Sequence, residues 1–181
     1  VSNVAISGMP TIGEQLTGIY TYTDADGDVE NGSTYTWYRS EDKLGNGKTV
    51  ISGATTNNYT LQTVDTGKYI SFEVSPNDGI IMGISKESSF MGPIKTNQTI
   101  SFPSIPTKTY GDATFTLGDE KTDQGLTVTY TATDPDIVTI SGNQATILKA
   151  GSTTITASQA GNNQTNSAKN VQQTLLVTKA S

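Results

Sequence analysis

The sequence predicts an all-β protein built as two small β-sandwiches in tandem. Three observations carry this. Apolar residues alternate with polar ones at period two in short runs. Gly, Asn, Asp and Pro punctuate those runs at regular intervals. Hydrophobic residues make up only 33% of the 181 residues, which suits two thin sandwiches of roughly 90 residues each better than one thick core.

In the first half, Gln15–Thr23 sets Leu16, Tyr20 and Tyr22 against Thr17, Thr21 and Thr23. The acidic turn Asp24-Ala25-Asp26-Gly27-Asp28-Val29-Glu30 follows. Thr34–Arg39 alternates again, with Tyr35 and Trp37 on one face and Tyr38 on the other. After the Gly-rich turn at Leu44–Gly47, Tyr59–Leu61 is a short strand. Ile70, Phe72 and Val74 mark another, stopped by Pro76-Asn77-Asp78-Gly79, a strong turn signal.

Gly92-Pro93-Ile94-Lys95-Thr96-Asn97 is the natural boundary, giving domains at 1–93 and 97–181. Beyond it, candidate strands fall at Gln98–Phe102, Ala113–Leu117, Thr127–Thr131, Ile137–Ile140, Gln144–Leu148, Thr153–Ala157 and Val171–Thr178. That is the strand number of a small sandwich. The two halves do not repeat one another.

Composition narrows the chemistry. There is no cysteine and no histidine, which removes disulfides, zinc–thiolate and iron–sulfur sites, and every Ser-His-Asp or Cys-His arrangement. No catalytic residues are assigned, and the chain reads as a non-enzyme. The net charge is −6, with eleven scattered basic residues, so the phosphate-binding footprint of a nucleic-acid partner is missing. No apolar run approaches the length of a membrane span, which argues against direct membrane insertion. The chain starts at Val1 without a methionine or visible signal peptide, and reads as an excised piece of something longer.

Trp37 in mid-strand, followed by Asp65-Thr66-Gly67-Lys68-Tyr69, is the immunoglobulin-like pattern. The run Tyr20–Val74 resembles the Ig-like domains repeated in bacterial surface proteins, particularly Bacteroidetes ones. The stretches that carry the likeness are Tyr20–Asp28, Tyr35–Ser40 and Gly67–Val74. It departs from the antibody pattern: with Ile70, Phe72 and Val74 inward, Ser71 stands where an antibody-type cysteine would lie. The second half, Gln98–Ala180, is similar to the bacterial Ig-like modules called group 2 or MBG-type, through Lys108–Ala113, Gly125–Tyr130, Asp134–Ile140, Ala150–Ala157 and Ala160–Asn162.

These resemblances imply a stalk or adhesion segment of a large secreted protein on a bacterial cell surface. Its partners would be neighbouring Ig-like repeats of the same polypeptide, and surface glycans or proteins. The alternative they imply is an accessory carbohydrate-binding module of a secreted polysaccharide-degrading enzyme. No ligand-binding residue is assigned. Trp37, Tyr35 and Tyr38 invite a sugar-stacking platform, but core packing is the better account of Trp37.

The sharpest chemical pattern is Asp24, Asp26, Asp28 and Glu30 around Gly27. Carboxylates at that spacing can wrap oxygens around Ca²⁺, and the ion would be structural, stiffening a loop. An EF-hand does not fit, because the flanks are strands and Tyr35 occupies the twelfth position. Asp78 is a candidate helper from a neighbouring loop. The competing reading is an ordinary solvated turn of Asp and Gly. A glycosidase pair is disfavoured, since acids crowded on one turn lack the raised pKa of a general acid.

Overall fold

Trp37, Ile70, Phe72 and Val74 are completely inaccessible to solvent, as their period-two placement requires of strands with one buried face. The computed structural model describes residues 1–180. Its contacts divide into one unit of residues 1–96 and another starting at Asn97.

The first unit is a two-sheet sandwich. One sheet has the order β1 (Ser2–Ser7), β2 (Gln15–Thr21), β5 (Asn58–Thr60). The other runs β4 (Thr49–Val50), β3 (Thr34–Ser40), β6 (Tyr69–Ser75), β7 (Lys86–Glu87). The central pair is β3 against β6, antiparallel, with Trp37 opposite Phe72 and Tyr35 opposite Val74. The Trp37 and Phe72 rings lie 4.9 Å apart, tilted by 51°, a favoured aromatic geometry. Leu16 from the facing sheet, with Leu61 and Ile51, completes the core. Each such side chain contributes roughly 1.5–3 kcal/mol by leaving water.

Gly18 explains how the Phe72 ring fits. A Cβ at this position of β2 would lie 2.4 Å from three ring carbons of Phe72, so the strand carries a residue without one. Ser71, at the antibody cysteine position, is also fully buried. Its hydroxyl donates to Glu87 Oε1 at 2.5 Å. A polar bond to the edge strand β7 stands in place of a cross-sheet disulfide.

Ile94 is fully buried in this first core. Its N–H donates to the Lys68 carbonyl at 2.8 Å, and its carbonyl accepts from Gly67 N–H at 2.7 Å. These bonds carry the first unit through Thr96, past the 93 read from the Gly-Pro signal.

The second unit is also a sandwich. One sheet is β10 (Thr129–Ala132), β13 (Gly151–Ser158), β14 (Val171–Thr178), β8 (Lys108–Thr109), and the other is β11 (Val138–Ser141), β12 (Gln144–Ile147), β9 (Phe115–Thr116). Thr153, Ile155 and Ala157 of β13 alternate inward against Leu175 and Val177 of β14. Pairing is antiparallel except where β8 joins β14, which is parallel. The segment 98–102, expected as a strand, forms none. Phe102 is nevertheless buried, packed edge-on against Tyr130 at 5.2 Å. Its carbonyl accepts the Gln173 side-chain amide at 2.9 Å, so side chains replace the ladder there. The turn after Ala160 is closed by Asn162, whose Oδ1 accepts Gln164 N–H at 2.8 Å and Thr165 N–H at 2.9 Å.

Candidate functional site

The loop joining β2 to β3 and the loop joining β6 to β7 set Asp24, Asp26 and Asp78 around a common cleft. The loops are tied together: Asn31 N–H donates to the Asn77 carbonyl at 2.7 Å, and Asn77 N–H donates to Ser33 Oγ at 3.1 Å. Tyr22, Asp24, Asp26, Asp78, Ile81 and Ile84 line one cleft of about 430 Å³ with Val1 and Lys86.

Asp24, Asp26, Asp28 and Glu30 are all exposed. Asp24 Oδ1 accepts the N–H of Asp26 at 2.8 Å and of Asp28 at 3.4 Å, an Asx-type turn. Glu30 Oε1 accepts Tyr20 Oη at 2.6 Å and the Ser33 hydroxyl. Tyr20 also meets Tyr35, hydroxyl to hydroxyl, at 2.8 Å. Asp78 does join Asp24 and Asp26 at the cleft. Its Oδ1 accepts both Ile80 and Ile81 N–H groups at 2.6 Å. Among the described residues, no three acids gather closely enough to hold a metal ion.

The electrostatics of this end are one-sided. Tyr22's phenol is pushed up, first by burial and then by the charges of Asp24, Asp78, Glu30 and Asp28. The Tyr20 phenol is raised strongly, by burial first and then by its bond to Glu30. The Ile81 and Ile80 N–H groups hold the Asp78 carboxyl below its usual range. Away from this end, Asp42 is lowered likewise, chiefly by the Asn46 side chain, and Asp123 of the second unit by Thr99 N–H. The lowered carboxyls of Asp78, Asp42 and Asp123 run opposite to what a carboxylic general acid requires.

Aromatic residues named as a sugar platform are occupied. Trp37 has no exposed surface, and its indole N–H donates to the Thr56 carbonyl at 2.8 Å. Tyr35 stacks on Phe72 at 5.7 Å. Tyr38 lies on the outer face, where Lys48 Nζ sits 4.0 Å from its ring centroid. Its hydroxyl donates to Glu73 at 3.2 Å.

Two features escaped the sequence reading. One is the apolar tip Ile80, Ile81, Met82 and Ile84, exposed at 79%, 70%, 58% and 86%. An unalternating Ile-Ile-Met run straight after a Pro-Asn-Asp-Gly turn was its signal. The other is a buried ionic latch. Asp65 is fully buried and accepts from Arg39 Nε at 2.6 Å, Tyr59 Oη at 2.8 Å and Gln62 N–H at 2.7 Å. Nothing in the spacing of Arg39 and Asp65 marks them as a pair.

Fold and site together define immunoglobulin-like β-sandwich domains, a class that generally serves as scaffold and binding surface and not as catalyst. Residues 1–81 match the model of the AIR9 A9 domain, an Ig-like family. A search of curated proteins found no match to the chain.

Proposed function

We propose that this chain is a non-catalytic structural segment of a large secreted bacterial cell-surface protein, serving as stalk or adhesion module. Its first partners are neighbouring Ig-like modules of the same polypeptide. The observation that carries this reading is the use made of the aromatic residues. Trp37, Tyr35 and Phe72 are spent on the core, and Tyr38 is covered by Lys48, so the Trp37, Tyr35 and Tyr38 faces that would form a sugar-stacking platform are engaged within the fold. The Ig-like match over residues 1–81 supports the architectural role. The resemblance of residues 98–180 to group 2 or MBG-type modules supports a surface origin.

A glycan array probed with the chain tests it. No glycan is expected to bind above background. Binding that disappears in Tyr38→Ala or Tyr22→Ala would replace this reading with the carbohydrate-binding one. Many copies of such modules in the full-length polypeptide are expected, and one copy beside a catalytic domain would point the same contrary way.

A further inference from the structure

Each unit carries an exposed cleft with apolar side chains at it, and the charged residues of the two clefts differ in sign. In the first unit, Ile80, Ile81, Met82 and Ile84 project into solvent. Asp24, Asp26 and Asp78 share the cleft of Ile81 and Ile84, and Lys86 and Val1 line it too. In the second unit, a cleft of about 300 Å³ is formed by Tyr110, Leu148, Lys149, Ala150, Lys179 and Ala180. Tyr110 is 51% exposed and Leu148 45%. Lys149 meets Asp136 only at 3.6 Å and stays half in water.

Both units are net acidic: residues 1–96 hold eleven acids against six basic residues, and residues 97–181 six against five. The difference in sign is local to the clefts.

We propose that the acidic apolar cleft of one copy receives the basic apolar cleft of a second copy of this chain, head to tail. Clusters of exposed large apolar side chains mark interaction surfaces, and opposite potentials select which surfaces meet. A symmetric contact through the isoleucine tip would set Asp24, Asp26 and Asp78 against their own copies, and the lysine cleft is the surface of opposite sign. Such a contact is heterologous: each copy leaves one cleft free for a further copy, so association continues into rings or open strings. The inference goes beyond the structural-module reading and stands on the two clefts alone.

Sedimentation of the full chain at rising concentration and low salt tests it. The weight-average mass is expected to climb past that of a dimer, and to fall back in high salt, which screens exposed charges. The head variant Ile81→Ser/Ile84→Ser and the tail variant Lys149→Glu/Lys179→Glu each alter exposed side chains, and each alone is expected to stay monomeric. Mixed in equal amounts, they should form a dimer and nothing larger, since one intact head meets one intact tail. Unchanged circular dichroism and melting would confirm folding, and Tyr110→Ser replaces the tail variant if that one misfolds. A wild-type chain monomeric at every concentration overturns the proposal. So does a tail variant that still dimerises, which would place the contact tip to tip, or a mixture of folded variants that does not pair.

Discussion

Arg39 grips Asp65 with two nitrogens, Nε at 2.6 Å and Nη2 at 2.5 Å, both on the same carboxylate oxygen. The other oxygen takes Tyr59 Oη and Gln62 N–H. Asp65 has no exposed side-chain surface, while Arg39 keeps 21%. The two halves of the pair therefore fail differently when separated. Arg39→Ala strands a charge in the interior and is expected to cost about 3–5 kcal/mol. Asp65→Asn leaves one amide oxygen to accept from Tyr59 and Gln62 and lets the guanidinium turn to water, for about 1–3 kcal/mol. Urea unfolding of both variants checks the order, and an equal or reversed cost would refute it.

Gly18→Ala is expected to destabilise the first unit by about 1–3 kcal/mol, an overpacking cost. The added methyl would stand 2.4 Å from the Phe72 ring. The Gly18→Ala/Phe72→Leu double variant should lose less than the two single changes added together, because a shorter side chain vacates that space. Strict additivity would mean that the glycine answers to something else.

Tyr59 makes the latch sensitive to alkali. Burial, then the bond and the charge of Asp65, raise its phenol from 10.0 to about 12. The neutral phenol is the form favoured in the fold. Its contribution is complete below the unfolded value near 10 and disappears as pH rises through 12. Phenolate absorbance should show a late-titrating fraction that Tyr59→Phe diminishes, and a single step near the ordinary value would contradict it.

Calcium is expected to leave the melting temperature of the chain unchanged. Asp24 is engaged by the N–H groups of Asp26 and Asp28, and Glu30 by Tyr20 and Ser33. A cation would have to compete with those bonds. Melting in excess calcium and in chelator decides the matter: a rise with calcium that Asp26→Ala abolishes would show the loop closing around an ion.

The sandwich was legible where side chains obey the period of the strand. Trp37, Ile70, Phe72 and Val74 announce their burial through alternation alone, and β13 and β14 do the same in the second unit. Of the four two-residue strands, β9 falls within the expected Ala113–Leu117, while β4, β7 and β8 are too short to show any period. β1, with Val4 and Ile6 against the core, did carry one. The segment 98–102 alternates like a strand yet is held by side-chain bonds, a choice made by tertiary partners and not by local pattern. Likewise the acids of 24–30 could be read as a group, but the commitment of Asp24 and Glu30 to nearby N–H and hydroxyl donors depends on loop geometry that spacing does not encode. The Arg39–Asp65 pair was out of reach because it joins strand β3 to a 3-10 turn at 63–65, far apart in sequence.

The parallel pairing of β8 with β14 has a mechanical consequence. Lys108 and Thr109 run beside Val177 and Thr178 in the same direction. Tension applied at the two ends of the second unit drags these strands past each other lengthwise. Tyr110 N–H to the Thr178 carbonyl at 2.8 Å and Thr178 Oγ1 to the Lys108 carbonyl at 3.2 Å then bear load together and in shear, instead of parting one at a time. Tyr110→Pro deletes the first of these donors, and a force ramp on the tethered chain should register a lower rupture load for that variant. An unchanged load would assign the resistance elsewhere.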